Sequence, residues 1–212
     1  MRKKLVPEDL QNNGEFELLT EVSHQKLREF VMKQISEEKY IIWIYSIYQI
    51  IMMLVFGYFF ANGIIELIKG ESQLFLGTIY GLLFSFTLLI IIHELLHALA
   101  YLLTGARKIS FGLILKKFIF YAMADMQVIN SKAFHVVALA PFLIVKFVCL
   151  LVILTTNDQP IMYFFLTVMC LHSLFCAGDI AMLAFYNLHR GKEIFNFDNR
   201  SEGKTYFYTL KQ

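Results

Sequence analysis

A glutamate set between two histidines, in the order His93-Glu94-Leu95-Leu96-His97, interrupts an apolar run long enough to cross a bilayer. A charged side chain at the centre of a membrane helix costs roughly 2.5–3.5 kcal/mol, so a Glu and two His held there require partners that offset the cost. On a helix, residues four apart share one face, which lets both imidazoles hold one metal ion while the intervening Glu handles a proton.

The rest of the chain agrees with a membrane setting. With 58% hydrophobic and 17% charged residues, its 212 positions are too apolar for a soluble domain of that size. Four segments, 41–67, 74–103, 134–155 and 161–188, reach the roughly 20 residues that a span requires. The expected fold is therefore an all-α polytopic membrane protein of four transmembrane helices. Residues 1–40 form an N-terminal arm, 41–188 the membrane domain and 189–212 a C-terminal tail.

Lysine and arginine set the orientation. Seven precede the first span, five lie between the second and third, and five follow the fourth; only Lys69 falls in a loop on the other side, and Lys146 lies within the third span. The asymmetry predicts a multi-pass cell-membrane protein with both termini in the cytoplasm. No short apolar core with a cleavage site precedes the first span, which is expected to act as the insertion signal. Nucleic acid is excluded as a partner, because no basic run of the required kind is present. Cys149, Cys170 and Cys176 all fall within spans and read as small packing residues.

Two connecting regions carry local signals. Residues 23–38 place apolar side chains near helical spacing, as in an amphipathic helix on the membrane surface or a solvated arm. Residues 109–121, which include Lys116-Lys117, mix β-branched and aromatic types too briefly to span. They read as a short β-hairpin at the cytoplasmic rim or as an interfacial loop. An exposed hairpin edge could accept an extended substrate as an added strand.

Away from their ends, the four spans contain two carboxylates, Glu94 and Asp179. His93 and His97 lie ten and six residues before Leu103, on the order of 9–15 Å from that end of the helix. The fourth span runs the same way, and Asp179 lies nine residues before Leu188, on the order of 13 Å up. The two motifs therefore meet at one depth. His93, His97 and Asp179 form a candidate three-donor set for Zn2+, and Glu94 is the candidate catalytic acid–base. Alternatively, Asp179 pairs with Lys146 or bonds across helices, and His172, seven residues before Asp179, takes a ligand role or an interhelical hydrogen bond. Pro141 is expected to kink the third span and free a carbonyl, and Gly178 to admit a neighbouring backbone.

The order of H-E-x-x-H, a basic loop, Ala140-Pro141 and Gly178-Asp179 resembles the small bacterial membrane proteins grouped as putative zincin peptidases, over roughly residues 74–188. In its motifs alone it is distantly similar to the site-two intramembrane metalloproteases. His93, Glu94 and His97 match the zinc signature of that group. Gly178-Asp179 stands, in reversed order, where those proteases carry an Asp-Gly with the third ligand, and the Asn- and Pro-rich stretch usual before it is missing. The resemblance implies a bacterial inner membrane and a membrane-anchored peptide or protein substrate.

Three functions remain open at this level: a zinc-dependent intramembrane or membrane-interface metalloprotease, a divalent-metal transporter, or a noncatalytic scaffold that keeps its metal for stability. Transport would leave polar groups along the whole depth of the bundle, whereas the outer halves of spans two and four are nearly all apolar. Two histidines one turn apart cannot ligate a haem from both sides, and the spans hold too few donors for a diiron centre. The oligomeric state is not encoded in any of these signals.

Overall fold

The computed structural model describes residues 5–114 and 119–211, so the Lys116-Lys117 pair lies outside the described residues. In chain order the elements are α1 (Pro7–Asn12), β1 (Phe16–Ser23), a 3-10 turn (His24–Lys26), α2 (Leu27–Glu37), α3 (Tyr40–Ile68), α4 (Gln73–Ser85) and α5 (Leu88–Leu103). They continue with β2 (Ile109–Ile114), β3 (Ile119–Ala124), β4 (Ile129–Asn130), α6 (Ser131–Thr155), α7 (Gln159–Phe175), α8 (Ala177–Leu188), β5 (Ile194–Asn199) and β6 (Lys204–Leu210).

Two helices, α3 and α6, are each long and apolar enough to cross a membrane. The count reaches four if each bent pair is one span: α4 with α5, bent by 49°, and α7 with α8, bent by 42°. Large apolar side chains such as Trp43, Leu54, Leu103 and Leu154 point outward, as lipid-facing positions do. Helices α4 and α7 pack closely: a Cβ on Gly77 would collide with the Pro160 carbonyl and one on Gly81 would stand 2.8 Å from the Phe164 carbonyl, so only glycine fits at either. Asn130 caps α6 by accepting from Ala133 N at 2.9 Å, and Asp158 caps α7 by accepting from Ile161 N at 3.1 Å.

The all-α expectation is incorrect. Besides the β2–β3 hairpin, the chain ends build a four-stranded sheet in the order β1-β6-β5-β4, antiparallel throughout. The physical cause is period-two patterning in β5 and β6. Ile194 and Asn196 turn toward the helices, where Tyr186 Oη donates to Asn196 Oδ1 at 2.9 Å. Phe195 and Phe197 turn the other way and bury against Leu10, Phe16 and Tyr208. The sheet thus lies between α1 and one end of the bundle. Val22 of β1 and Phe207 of β6 share a core with Tyr101, Phe134 and Phe185.

Candidate metal centre

The α7–α8 break decides where Asp179 points. Helix α7 stops at Cys176, the chain bends, and α8 restarts with Asp179 in its first turn. A carboxylate there is favoured by the helix dipole, and the bend aims it at the face of α5 that carries His93 and His97. His93 Nε2 lies 3.2 Å from Asp179 Oδ2, His97 Nε2 lies 3.3 Å from Asp179 Oδ1, and the two Nε2 atoms are 3.0 Å apart. Both histidines and Glu94 are buried.

The partners behind the rings fix which nitrogens face inward. His97 Nδ1 is 2.9 Å from the carbonyl oxygen of Val137, which can only accept, so Nδ1 carries the hydrogen and the neutral ring presents a lone pair at Nε2. That carbonyl is available because Pro141, four residues on, has no N–H to return to it. The carbonyl that the proline was expected to free is the one His97 uses. His93 Nδ1 meets His172 Nε2 at 3.1 Å, so His172, fully buried, stands behind His93. Lys146 does not pair with Asp179; its ammonium donates to the Met169 carbonyl and lies near the Tyr48 and Phe142 rings.

His97 Nε2 and both Asp179 oxygens are therefore acceptors that converge with His93 Nε2, and Asp179 Oδ2 is buried with no hydrogen-bond donor. Their spacing suits a cation: tetrahedral zinc with bonds of about 2.0–2.1 Å holds its donors roughly 3.3 Å apart. The residues present fit a divalent metal bound through His93, His97 and Asp179. A second donor group, His93 with His172 and Cys176, gathers on the Nδ1 side of the same ring. It is wholly buried, whereas the Nε2 side borders a cavity of about 1040 Å³.

Glu94 sits beside this cluster, with its ligating atoms and those of His93 and His97 all within 4.8 Å of one another. Its Oε2 accepts from Ala122 N of β3 at 2.7 Å, a contact that sequence reasoning missed because a backbone N–H leaves no residue signal. In the β2–β3 ladder, strand alternation turns Ala122 and Phe120 away from β2 and toward the cavity. The expected hairpin is thus present, with one edge beside the site. Gly178 differs from its expected role: nothing approaches within 4 Å of where its Cβ would be, and it borders the cavity.

The cavity is closed on its far side by the sheet and α2, through His24, Met32, Asn196, Asp198, Thr205 and Phe207. Burial pushes the Asp198 carboxyl up to about 6, against the Thr205 hydrogen bond and with help from the negative charge of Asp125. Burial also lowers the pKa of His24.

Residues 86–192 match the model of a family described as putative zincin peptidase. Neither a curated protein nor a solved structure matches the chain.

Proposed function

The chain belongs to the putative zincin peptidase family, and from that premise we propose that it is a zinc-dependent metalloprotease. In this reading it hydrolyses a peptide bond of a membrane-anchored substrate close to the cytoplasmic face. The observation that carries the reading is the convergence of His93 Nε2, His97 Nε2 and both Asp179 oxygens, with the Glu94 carboxylate alongside.

His93, His97 and Asp179 would hold the ion. When bound, zinc supplies Lewis acidity, polarising the scissile carbonyl and lowering the pKa of water toward about 7. Glu94 is offset from His93 by roughly 100° around α5, and its contact with Ala122 N draws one carboxylate oxygen toward β3. Its carboxylate takes the proton from the attacking water and delivers it to the departing amine nitrogen, so the proton lost in attack is returned on cleavage. The Val137 carbonyl holds the His97 ring in one tautomer, and His172 helps orient the His93 ring. The outward edge of β3 at Phe120 and Ala122 offers backbone groups on which an extended substrate can lie as a further strand. Charge asymmetry along the chain supports a site opening toward the cytoplasm.

The test is metal content and cleavage of membrane-anchored peptides by the purified wild type and by Glu94→Gln. Both should carry about one zinc per chain, with turnover at least about 100-fold lower in the variant. Equal turnover would refute the assignment of Glu94. Zinc flux into proteoliposomes, lost in His93→Ala, would replace the protease reading with transport.

A further inference from the structure

The cavity that borders the metal donors has a second polar face, on the sheet side. Tyr121 Oη lies 3.4 Å from His24 Nδ1, His24 Nε2 lies 3.3 Å from Thr205 Oγ1, and Thr205 Oγ1 donates to Asp198 Oδ1 at 2.5 Å. All four residues line the cavity that His93, Glu94, His97 and Asp179 also line. With Asp198 ionised and His24 neutral, as burial of its ring favours, one assignment satisfies every contact. Thr205 gives its proton to Asp198, accepts from His24 Nε2–H, and leaves His24 Nδ1 to accept from Tyr121 Oη.

That arrangement leaves a negative charge uncompensated. His24 is neutral in it, and its Nε2 stands 3.9 Å from Asp198. Among the described residues, no Lys or Arg pairs with Asp198, while the neighbouring Asp125 has Lys108 at 3.2 Å. A carboxylate kept 14% exposed on a cavity wall without a paired cation is costly unless it takes up a proton or a cation reaches it through the cavity, whose lining also includes Arg28. Around it, Thr205 and Tyr121 oxygens have further lone pairs, and Phe207, Leu27 and Met32 supply apolar wall. The Tyr121 ring lies across Gly112 of β2, where any Cβ would collide with it. Hydroxyl acceptors, a carboxylate, an aromatic face and an apolar approach are what a long cationic side chain binds.

Resting on the protease reading, we propose that Asp198, with Thr205 and Tyr121, forms a subsite for a positively charged amine or guanidinium of the substrate. Tyr121 is one residue from Ala122, whose N–H meets Glu94. The subsite and the candidate donors therefore share one cavity and one strand, which puts the cation on a residue near the cleaved bond. A Lys or Arg side chain and a free amino terminus share this chemistry.

The experiment uses the full chain, zinc-loaded and in detergent, as Glu94→Gln with and without Asp198→Asn. The probes are fluorescent N-acetylated apolar peptides in which Lys, norleucine or Glu is scanned across the central positions, plus the norleucine peptide with a free amino terminus. Asn keeps an acceptor for Thr205, so the fold is retained. At the best position Lys should bind about 10-fold more tightly than norleucine, and Asp198→Asn should abolish that preference. A free-amine norleucine peptide that binds with the same Asp198-dependent gain upholds the subsite and assigns it to the substrate terminus. An unchanged Lys-to-norleucine ratio in Asp198→Asn, or tighter binding of Glu, overturns it. Cleavage by the wild type separates the two readings. Asp198-dependent binding without cleavage of any peptide leaves the subsite standing and removes the protease. Cleavage at equal kcat/KM for Lys and norleucine peptides does the reverse.

Discussion

Replacing His172 by Leu separates the two donor groups that share His93. In the structure His172 Nε2 is 3.1 Å from His93 Nδ1, and His172 is fully buried. Leucine would leave the His93 Nδ1 without its partner at a buried position. An unsatisfied buried polar group costs about 1–3 kcal/mol, which is roughly a 5- to 150-fold change in an equilibrium constant. Loss of outer partners of metal-bound histidines falls in the same range, about 10–100-fold. Zinc affinity of His172→Leu, read by competition with a chelator in detergent, should therefore fall about 10–100-fold. His172→Gln, which keeps a polar group at that place, should recover most of the loss.

Cys176 is the discriminating control. Its Sγ lies 3.6 Å and 3.8 Å from the two His172 nitrogens and, with His93 and His172, could itself gather a metal. If the ion sits among His93, His97 and Asp179, Cys176→Ala leaves zinc affinity within about threefold, which is under 1 kcal/mol, while Asp179→Ala loses the metal. The opposite result, zinc lost in Cys176→Ala and kept in Asp179→Ala, would refute the reasoning and move the ion to the other side of the His93 ring.

Pro141→Ala restores an N–H aimed at the Val137 carbonyl that His97 Nδ1 now uses. The variant should melt higher, because an interior proline costs a helix about 3 kcal/mol, yet bind zinc up to about 10-fold more weakly; unchanged zinc affinity would show that the carbonyl serves both donors. Asp198→Asn addresses pH dependence. The Asp198 carboxyl rises from 3.8 to about 6 on folding, chiefly through burial, so between those values the native state holds the proton more tightly than the unfolded chain does. Native stability thus falls as pH rises through that window, by about 3 kcal/mol at most. Melting curves should show Asp198→Asn more stable than wild type at pH 7.5 and close to it at pH 4; a gap that does not change with pH would refute this account.

The convergence of the candidate donors was legible because the membrane makes them conspicuous. Where water is absent, His93, Glu94, His97 and Asp179 stand out against apolar neighbours, and helix rise alone converts their positions into a common depth. Even the availability of Val137 O followed from Pro141, since a missing N–H has one predictable consequence four residues back. The bends were harder to read. Phe86-Thr87 and Cys176 carry no proline or glycine, and a hydropathy window averages straight through them, although the bend at Cys176 is what aims Asp179.

The sheet was hidden for a different reason. Phe195, Phe197, Tyr206 and Tyr208 alternate as strand residues do, and Gly191 and Gly203 flank their strands, so β5 and β6 had a local signal. Their partner did not: β1 lies some 180 residues earlier, pairing Glu21 with Tyr206, and periodicity identifies a strand without naming its neighbour. That pairing has a chemical consequence. It brings His24 from one end of the chain to Asp198 and Thr205 at the other, over a cavity whose opposite wall carries the metal donors. Residues proposed to bind the ion had to be conspicuous in lipid. Residues proposed to select what reaches it lie in ordinary polar segments and acquire meaning only when the two ends of the chain meet.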